Sequence, residues 1–274
     1  MRLRKVAIIG VGLMGGSFAL AIKEAFKNIE VVGYARSKKS YFKLKKLNIL
    51  DDVKLNLEEV VKDADLVILS TPIYIILEYL KKISKFLKKD AIVIDLGSTK
   101  ELIEKEASKL NINFVGCHPI CGSEKNSAIF SDKNLYKNSI CFITSLENSS
   151  LAKFIKKIWD KLGAKVIFIS PSLHDKILSS LSHLVHIIAF SLVDFIPKEY
   201  LKFSTKSFKD LTRIAASSKD IWTDIFLSNR KNIIKDIKRY IKNLEKFKSL
   251  LEENNYKKIY NLIDRVNNKY KFLL

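Results

Sequence analysis

The chain has 274 residues, enough for one large domain or two smaller ones. Apolar residues make up 47% and charged residues 28%, a balance that supports packed cores and excludes a disordered chain. The formal charge of +20 comes from seven arginines and forty-two lysines scattered along the chain, with no nucleic-acid reader motif and no basic–aromatic surface pattern, so no nucleic-acid partner is expected.

In chain order, Lys5–Ile9 is the first predicted strand. Its basic, apolar surroundings are punctuated by glycine and run into a helical pattern, unlike a cleaved signal segment. The strand leads into Gly10, Gly12 and Gly15 in GxGxxG spacing, with Leu13 and Met14 inside the motif and a helix predicted over Met14–Phe26. Glycine at those places permits a tight turn and close approach of backbone to a pyrophosphate, which the positive end of the helix faces. The next strand, Glu30–Tyr34, ends at Ala35, where an acid would otherwise hold the ribose hydroxyls. Arg36 and Ser37 follow, and an arginine without a neighbouring carboxylate suits a 2′-phosphate. NADP is therefore favoured over NAD, with Lys38 and Lys39 read as solvated surface.

Strands are further predicted at Leu66–Ser70, Ala91–Asp95, Asn113–Gly116, Ser139–Thr144 and Lys165–Ile169, with a helix over Ile73–Leu87. This alternation predicts an α/β, Rossmann-type doubly wound parallel sheet over residues 1–170. Ser70, Thr71 and Pro72 fall in the loop after one sheet strand, a place that borders the nicotinamide half of a dinucleotide. The last glycine is Gly163, and the remaining 111 residues lack the residue that makes sharp corners. An all-helical domain is expected over 171–274, with Ile233, Ile234, Ile237, Ile241, Leu244, Phe247 and Leu251 on one helix face. No run of about 18 uncharged apolar residues occurs, so no membrane partner is expected. Cys117, Cys121 and Cys141 lack CxxC spacing, which points to a reduced, cytoplasmic protein without a disulfide framework or zinc knuckle.

All four histidines lie between residues 118 and 186. His118 ends a short predicted strand, whereas His174, His183 and His186 share a predicted helix, the last two neighbours on one face. Too few further ligands stand at suitable spacing for a metal site, and none is expected. Each histidine alone reads as a structural hydrogen-bonder; the four together point to a cleft at the carboxyl ends of the strands. Ser98 and Glu101 read as a capping box at a helix start, and so do Ser172 and Asp175. Trp222 reads as core.

The segments GVGLMGGS, LSTP (69–72), DLGSTK (95–100), HPICGSEKNSA (118–128), HD…SSLSHLVH (174–186) and FKDLTRIAASSKDIW (208–222) occur in an order that resembles the prephenate/arogenate dehydrogenase family of tyrosine biosynthesis. The resemblance spans nearly the whole chain. It departs from the family pattern at Val185, Ser207 and Ser123, none of which removes a reactive group from the implied site. It implies oxidative decarboxylation of a cyclohexadienol, in which hydride passes to NAD(P) while a base takes the hydroxyl proton and carbon dioxide leaves an aromatic ring. His118 then matches the base and Ser98 a serine that hydrogen-bonds the reacting hydroxyl. Arg213 matches a substrate-carboxylate arginine, against the alternative of a surface pair with Asp210. His186, His183, Ser123 and Glu124 match substrate-side residues, with Glu124 at the mouth. The resemblance also implies a homodimer through the helical region. Prephenate and arogenate both remain open as substrate. Two remoter alternatives are another reductase built of a Rossmann and a helical domain, and a non-catalytic NADP sensor. The first would rely on a lysine or glutamate in the helical part, and the second would not need to keep His118, Ser98 and Arg213.

Overall fold

The computed structural model describes residues 3–121, 127–145, 147 and 149–273. Ser123 and Glu124 lie outside the described residues. The chain forms two compact units, one ending at Asn229 and the other beginning at Arg230.

The first unit is built on an eight-stranded sheet. Strands β1 (Lys5–Ile9), β2 (Glu30–Tyr34), β3 (Asp52–Lys54), β4 (Leu66–Leu69), β5 (Ile92–Asp95), β6 (Asn113–Ile120), β7 (Ile140–Thr144) and β8 (Lys165–Phe168) lie in the order 3-2-1-4-5-6-7-8. β1 to β6 pair parallel; β7 runs antiparallel to β6, and β8 parallel to β7. β4 (LVIL) and β5 (IVID) are buried throughout, as strands covered by helices on both faces require. Three strands differ from expectation, the first being β7, antiparallel to β6 in a sheet expected to be parallel. β3, three residues long, is too short to announce itself by alternation. β6 runs on to Ile120, so His118 sits inside a strand and pairs with Phe142 of β7 instead of standing at a strand end.

Helices α1 (Leu13–Ala25), α2 (Lys38–Leu47), α3 (Leu57–Val61), α4 (Ile73–Ile83), α5 (Glu101–Ala107) and α6 (Ser150–Lys161) cover the two faces. One core gathers Phe18, Tyr136 and Trp159, whose rings meet edge to face, with Ile8 and Ile68. The other gathers Leu80, Ile83 and Ile103, and takes in Ile225 from a later helix.

After the sheet come α7 (Pro171–Leu178), a π-helical turn (Ser179–His183), α8 (Leu184–Phe195), α9 (Lys206–Thr212) and α10 (Lys219–Ser228). Ser170 caps α7, accepting from Leu173 N at 3.3 Å, so the expected Ser172–Asp175 capping box does not form. By length and composition, Pro171–Phe195 is apolar enough to cross a membrane, yet it carries His174, Asp175, His183 and His186, each bonded within this unit. The second unit is a pair of helices, α11 (Arg230–Glu252) and α12 (Tyr256–Tyr270), with Asn255 capping α12 through Lys258 N at 3.1 Å.

Candidate active site

The strand order reverses between β1 and β4, which opens a crevice at their carboxyl ends. A cleft of about 1390 Å³ lies there. Its walls come from the β1–α1 turn, the ends of β2, β4 and β5, one face of α2 and α4, and residues of α8, the 213–218 segment and α10.

Gly10 turns the chain with φ +97, a conformation side chains rarely adopt, and a Cβ there would sit 2.6 Å from the Ser70 carbonyl oxygen. Gly12 N–H donates to Gly10 O at 2.8 Å, and Gly12 opens α1 without a side-chain cap. A Cβ on Gly15 would sit 2.4 Å from Ser70 Oγ, so α1 packs directly on the loop after β4. Ser70 donates its hydroxyl to Gly10 O at 2.6 Å, and so it holds the turn's shape rather than offering the hydroxyl to a ligand. Leu13, Met14, Thr71 and Pro72 line the cleft beside it. Thr71 Oγ1 is buried with no hydrogen-bond partner. Such an orphan costs about 1–3 kcal/mol until something bonds it. A glycine cradle, a free helix N-terminus and an unsatisfied hydroxyl together fit a bound dinucleotide.

At the end of β2, Ala35 is buried and exposed Arg36 reaches the cleft wall. Ser37 does not. It caps α2, accepting from Ser40 N at 3.2 Å, and the next turn brings Ser40 and Lys43 to the wall instead. Helical spacing from the cap would have indicated both.

The reactive side chains meet through bonds between distant segments. Asp175 Oδ1 accepts from Lys100 N and Oδ2 from Glu101 N, at 2.8 and 3.0 Å. Asp175 thus caps α5 from across the fold, and Ser98 is freed from the expected local cap. Ser98 lines the cleft, and its hydroxyl has no hydrogen bond among the described residues. With both carboxylate oxygens accepting from backbone, His174 Nδ1–H donates to Asp175 Oδ1 at 2.8 Å. His174 Nε2 then accepts from His118 Nδ1–H at 2.9 Å. Phe142 meets the His174 ring edge-on at 5.4 Å. His118 is 9% exposed, and burial, with His174 and the Lys100 ammonium as smaller causes, holds its pKa well below the usual histidine range. Lys100 is fully buried, paired with Asp95 and donating to Cys117 O at 2.8 Å. Removing one member of such a buried pair typically costs about 3–5 kcal/mol.

On α8, His186 donates Nδ1–H to Ser182 O at 3.0 Å and stacks on Trp222 with ring centroids 3.4 Å apart. Both line the cleft, and Trp222 also packs against the second core, so it is wall and core edge at once. Burial lowers the His186 pKa. Arg213 lines the cleft as well and forms no ion pair among the described residues; the alternative pairing with Asp210 is absent. His183 stands apart from the other substrate-side candidates. It is 1% exposed and off the cleft wall, its Nδ1 accepting from Asn229 Nδ2 at 3.0 Å while the same amide donates to Asp175 O at 2.7 Å. Burial pulls its pKa down to about 4. A neutral, enclosed imidazole of this kind supports the wall from behind.

The chain as a whole has relatives among known proteins. Residues 18–168 match the family model for the prephenate dehydrogenase nucleotide-binding domain, and residues 170–265 that for the prephenate dehydrogenase dimerization domain. This chain belongs to the prephenate dehydrogenase family. It is 36% identical over 254 residues to a prephenate dehydrogenase of Lactococcus lactis, covering 89% of this chain and 70% of that one. A cyclohexadienyl dehydrogenase of Zymomonas mobilis is 29% identical over 259 residues, covering 90% and 88%. The crystal structure of a prephenate dehydrogenase from A. aeolicus, in complex with hydroxyphenyl propionate and NAD+, superposes with a TM-score of 0.93 at 33% identity, covering 100% of this chain and 99% of that one. The family thus accounts for sheet and helices alike.

Proposed function

We propose that this protein oxidatively decarboxylates prephenate to 4-hydroxyphenylpyruvate, passing hydride to NAD(P)+. The observation that carries the reading is one cleft lined by a glycine cradle, an unbonded Ser98 hydroxyl and an unpaired Arg213 guanidinium. The backbone of Gly10, Gly12, Leu13, Met14 and Gly15 would hold the pyrophosphate, and Thr71 and Pro72 would border the nicotinamide. The oxidised nicotinamide, when bound, accepts the hydride. Arg213 binds a substrate carboxylate through paired charge-assisted bonds, and His186, steadied on Trp222, meets the substrate from α8. Ser98 hydrogen-bonds the reacting hydroxyl, and neutral His118 takes its proton at Nε2. Loss of carbon dioxide then aromatises the ring, which makes the overall step irreversible. Ser123 and Glu124 enter on family resemblance alone. His183 enters as a support.

NADP+ is the favoured cofactor, because Ala35 stands at the end of β2 where an acid would face the ribose, with Arg36, Ser40 and Lys43 on the wall; Glu78 of α4, which also lines the cleft, pairs with Lys82. Residues 1–170 serve the cofactor, and 171–274 the substrate and a homodimer in the cytoplasm. Exposed Leu181, Phe195 and Phe203 in the first unit, and Leu244 and Leu251 in the second, provide apolar surface for a second copy. A monomer mass by light scattering at micromolar concentration would overturn the dimer. The activity is tested by following reduced cofactor with prephenate and with arogenate, each with NAD+ and NADP+. The fastest pair is expected to be prephenate with NADP+. Turnover of arogenate alone would move the substrate assignment, and turnover of neither would overturn the reading.

A further inference from the structure

The hydrogen-bond chain behind His118 has a direction. Asp175 is fixed as acceptor by two backbone N–H groups, Lys100 N at 2.8 Å and Glu101 N at 3.0 Å. That makes His174 Nδ1 a donor. A neutral imidazole carrying its proton on Nδ1 presents Nε2 as a bare acceptor. His174 Nε2 therefore cannot donate to His118; it receives, at 2.9 Å, a proton that His118 must carry on Nδ1. The remaining nitrogen of His118, Nε2, is left as an acceptor with no hydrogen-bond partner among the described residues. The chain is enclosed: His174 is fully buried, Asp175 nearly so, and Phe142 closes on the His174 ring.

We propose that Asp175 and His174 are positioning residues that set the tautomer of His118, holding its proton on Nδ1 so that Nε2 is available as base. This rests on the reading of His118 as the base. Asp175 does two jobs with one carboxylate, since the same oxygens that hold His174 also cap α5, whose first residues adjoin Ser98 in sequence. The groups facing the chain leave it neutral. Burial and the Lys100 ammonium, paired with Asp95, oppose a positive charge on either ring, and His183 adds to this at His118, while Asp175 and Asp95 act the other way on His174 without outweighing burial. Burial lowers the pKa of His174 also, which favours the neutral ring that the Nδ1–H assignment requires.

The arrangement separates three substitutions. His174→Phe keeps a ring and removes the acceptor. His174→Gln keeps an acceptor in place of Nε2. Asp175→Asn keeps the shape but leaves one acceptor oxygen where two serve Lys100 N, Glu101 N and His174; with its amide toward His174 every donor and acceptor in the chain reverses and Lys100 N loses its acceptor. In enzymes where an aspartate orders a catalytic histidine, the wrong tautomer costs up to about 10⁴ in kcat, and at metal sites loss of the partner that orients a ligating histidine costs about 10–100-fold. With nitrogen-15-labelled histidine, only four rings need assignment. The wild type is expected to show His118 as the Nδ1–H tautomer. In His174→Phe the Nε2–H form should appear and kcat fall about 10²-fold, with cofactor affinity and the KM for prephenate little changed. His174→Gln should restore most of both. Asp175→Asn should give the Nε2–H form and a loss at least as large. Thermal unfolding identifies any variant that fails to fold, in which case the remaining two decide. Folded variants that keep wild-type kcat and the Nδ1–H form, beside an inactive His118→Asn, would overturn the positioning role and leave the base intact. An active His118→Asn would overturn the base itself.

Discussion

The two sides of the cleft are made by different means. The cofactor side is a shape in backbone: Gly10 in a left-handed conformation, Gly15 under Ser70, and the start of α1 left uncapped. The substrate side is a set of side chains: Ser98, Arg213 and His186 on the wall, the last stacked on Trp222, and His118, off the wall, held by His174, and His174 by Asp175. A backbone surface tolerates many side chains nearby but no added Cβ at its close points. A side-chain network tolerates small volume changes and fails when one donor or acceptor is reversed. Binding and chemistry should therefore separate under mutation.

The sharpest separation is expected at His118. His118→Asn removes the base and leaves the glycine side untouched, so kcat should fall about 10²–10⁴-fold while NAD(P)+ affinity holds. The wild-type rate should rise with pH, because only the neutral ring accepts a proton. Since burial lowers the His118 pKa, the rise should be complete below the usual histidine range, and activity should be lost only as pH falls through that lowered value. The asparagine variant should lose the step. The pH profile of kcat/KM for both proteins checks this, and an unchanged step in the variant would count against His118 as the base.

The same contrast decides what the sequence alone makes legible. The glycine turn shows because its three glycines, its strand and its helix lie within about twenty residues, and a local rule suffices. The parallel order of β1 to β6 follows from alternating runs, whereas three-residue β3 leaves no periodic trace. The substrate side depends on pairs far apart: Asp175 caps residues 74 and 75 positions before it. Local reading assigned Asp175 to Ser172 and Glu101 to Ser98, since capping boxes are three-residue patterns. Trp222 reads as core because an indole usually is; it packs against the second core and also lines the cleft, where it stacks on His186. Resemblance supplied His118, Ser98 and Arg213 where spacing could not.

Gly10→Ala attacks the other side. It would force a side chain into φ +97 and to within 2.6 Å of Ser70 O. Strain of about 1–3 kcal/mol and a comparable overpacking term are expected, together lowering NAD(P)+ affinity by about 10²-fold or more. Titration of cofactor fluorescence measures it. Wild-type affinity in this variant would mean the turn does not hold the cofactor.

Arg213→Ala tests whether the two sides share one substrate. Losing a paired charge-assisted contact from an exposed guanidinium should cost about 2–3 kcal/mol, seen mainly as a raised KM for prephenate. Because Arg213 touches neither the histidine chain nor the glycine turn in any bond described, the pH step and the cofactor KM should not move. A fall in kcat with unchanged KM would place Arg213 in the chemical step and not in binding.

The smallest effect expected is at Arg36, and it discriminates most finely. The residue is exposed at the end of β2, so a contact to a 2′-phosphate is screened by water and belongs at the low end of charged hydrogen bonds, about 1.5 kcal/mol or roughly tenfold. Arg36→Ala should weaken NADP+ by that factor and leave NAD+ unchanged, because the ribose of NAD+ carries no charge for Arg36 to meet. Lys43 stands on the same wall, and Lys43→Ala should add a further loss for NADP+ alone. The comparison is between ratios of kcat/KM for the two cofactors, which cancels any general damage to the fold. Equal losses for NADP+ and NAD+ would show that the missing acid at Ala35 does not mark a phosphate site, and that this end of the cleft binds by the shape of its backbone alone.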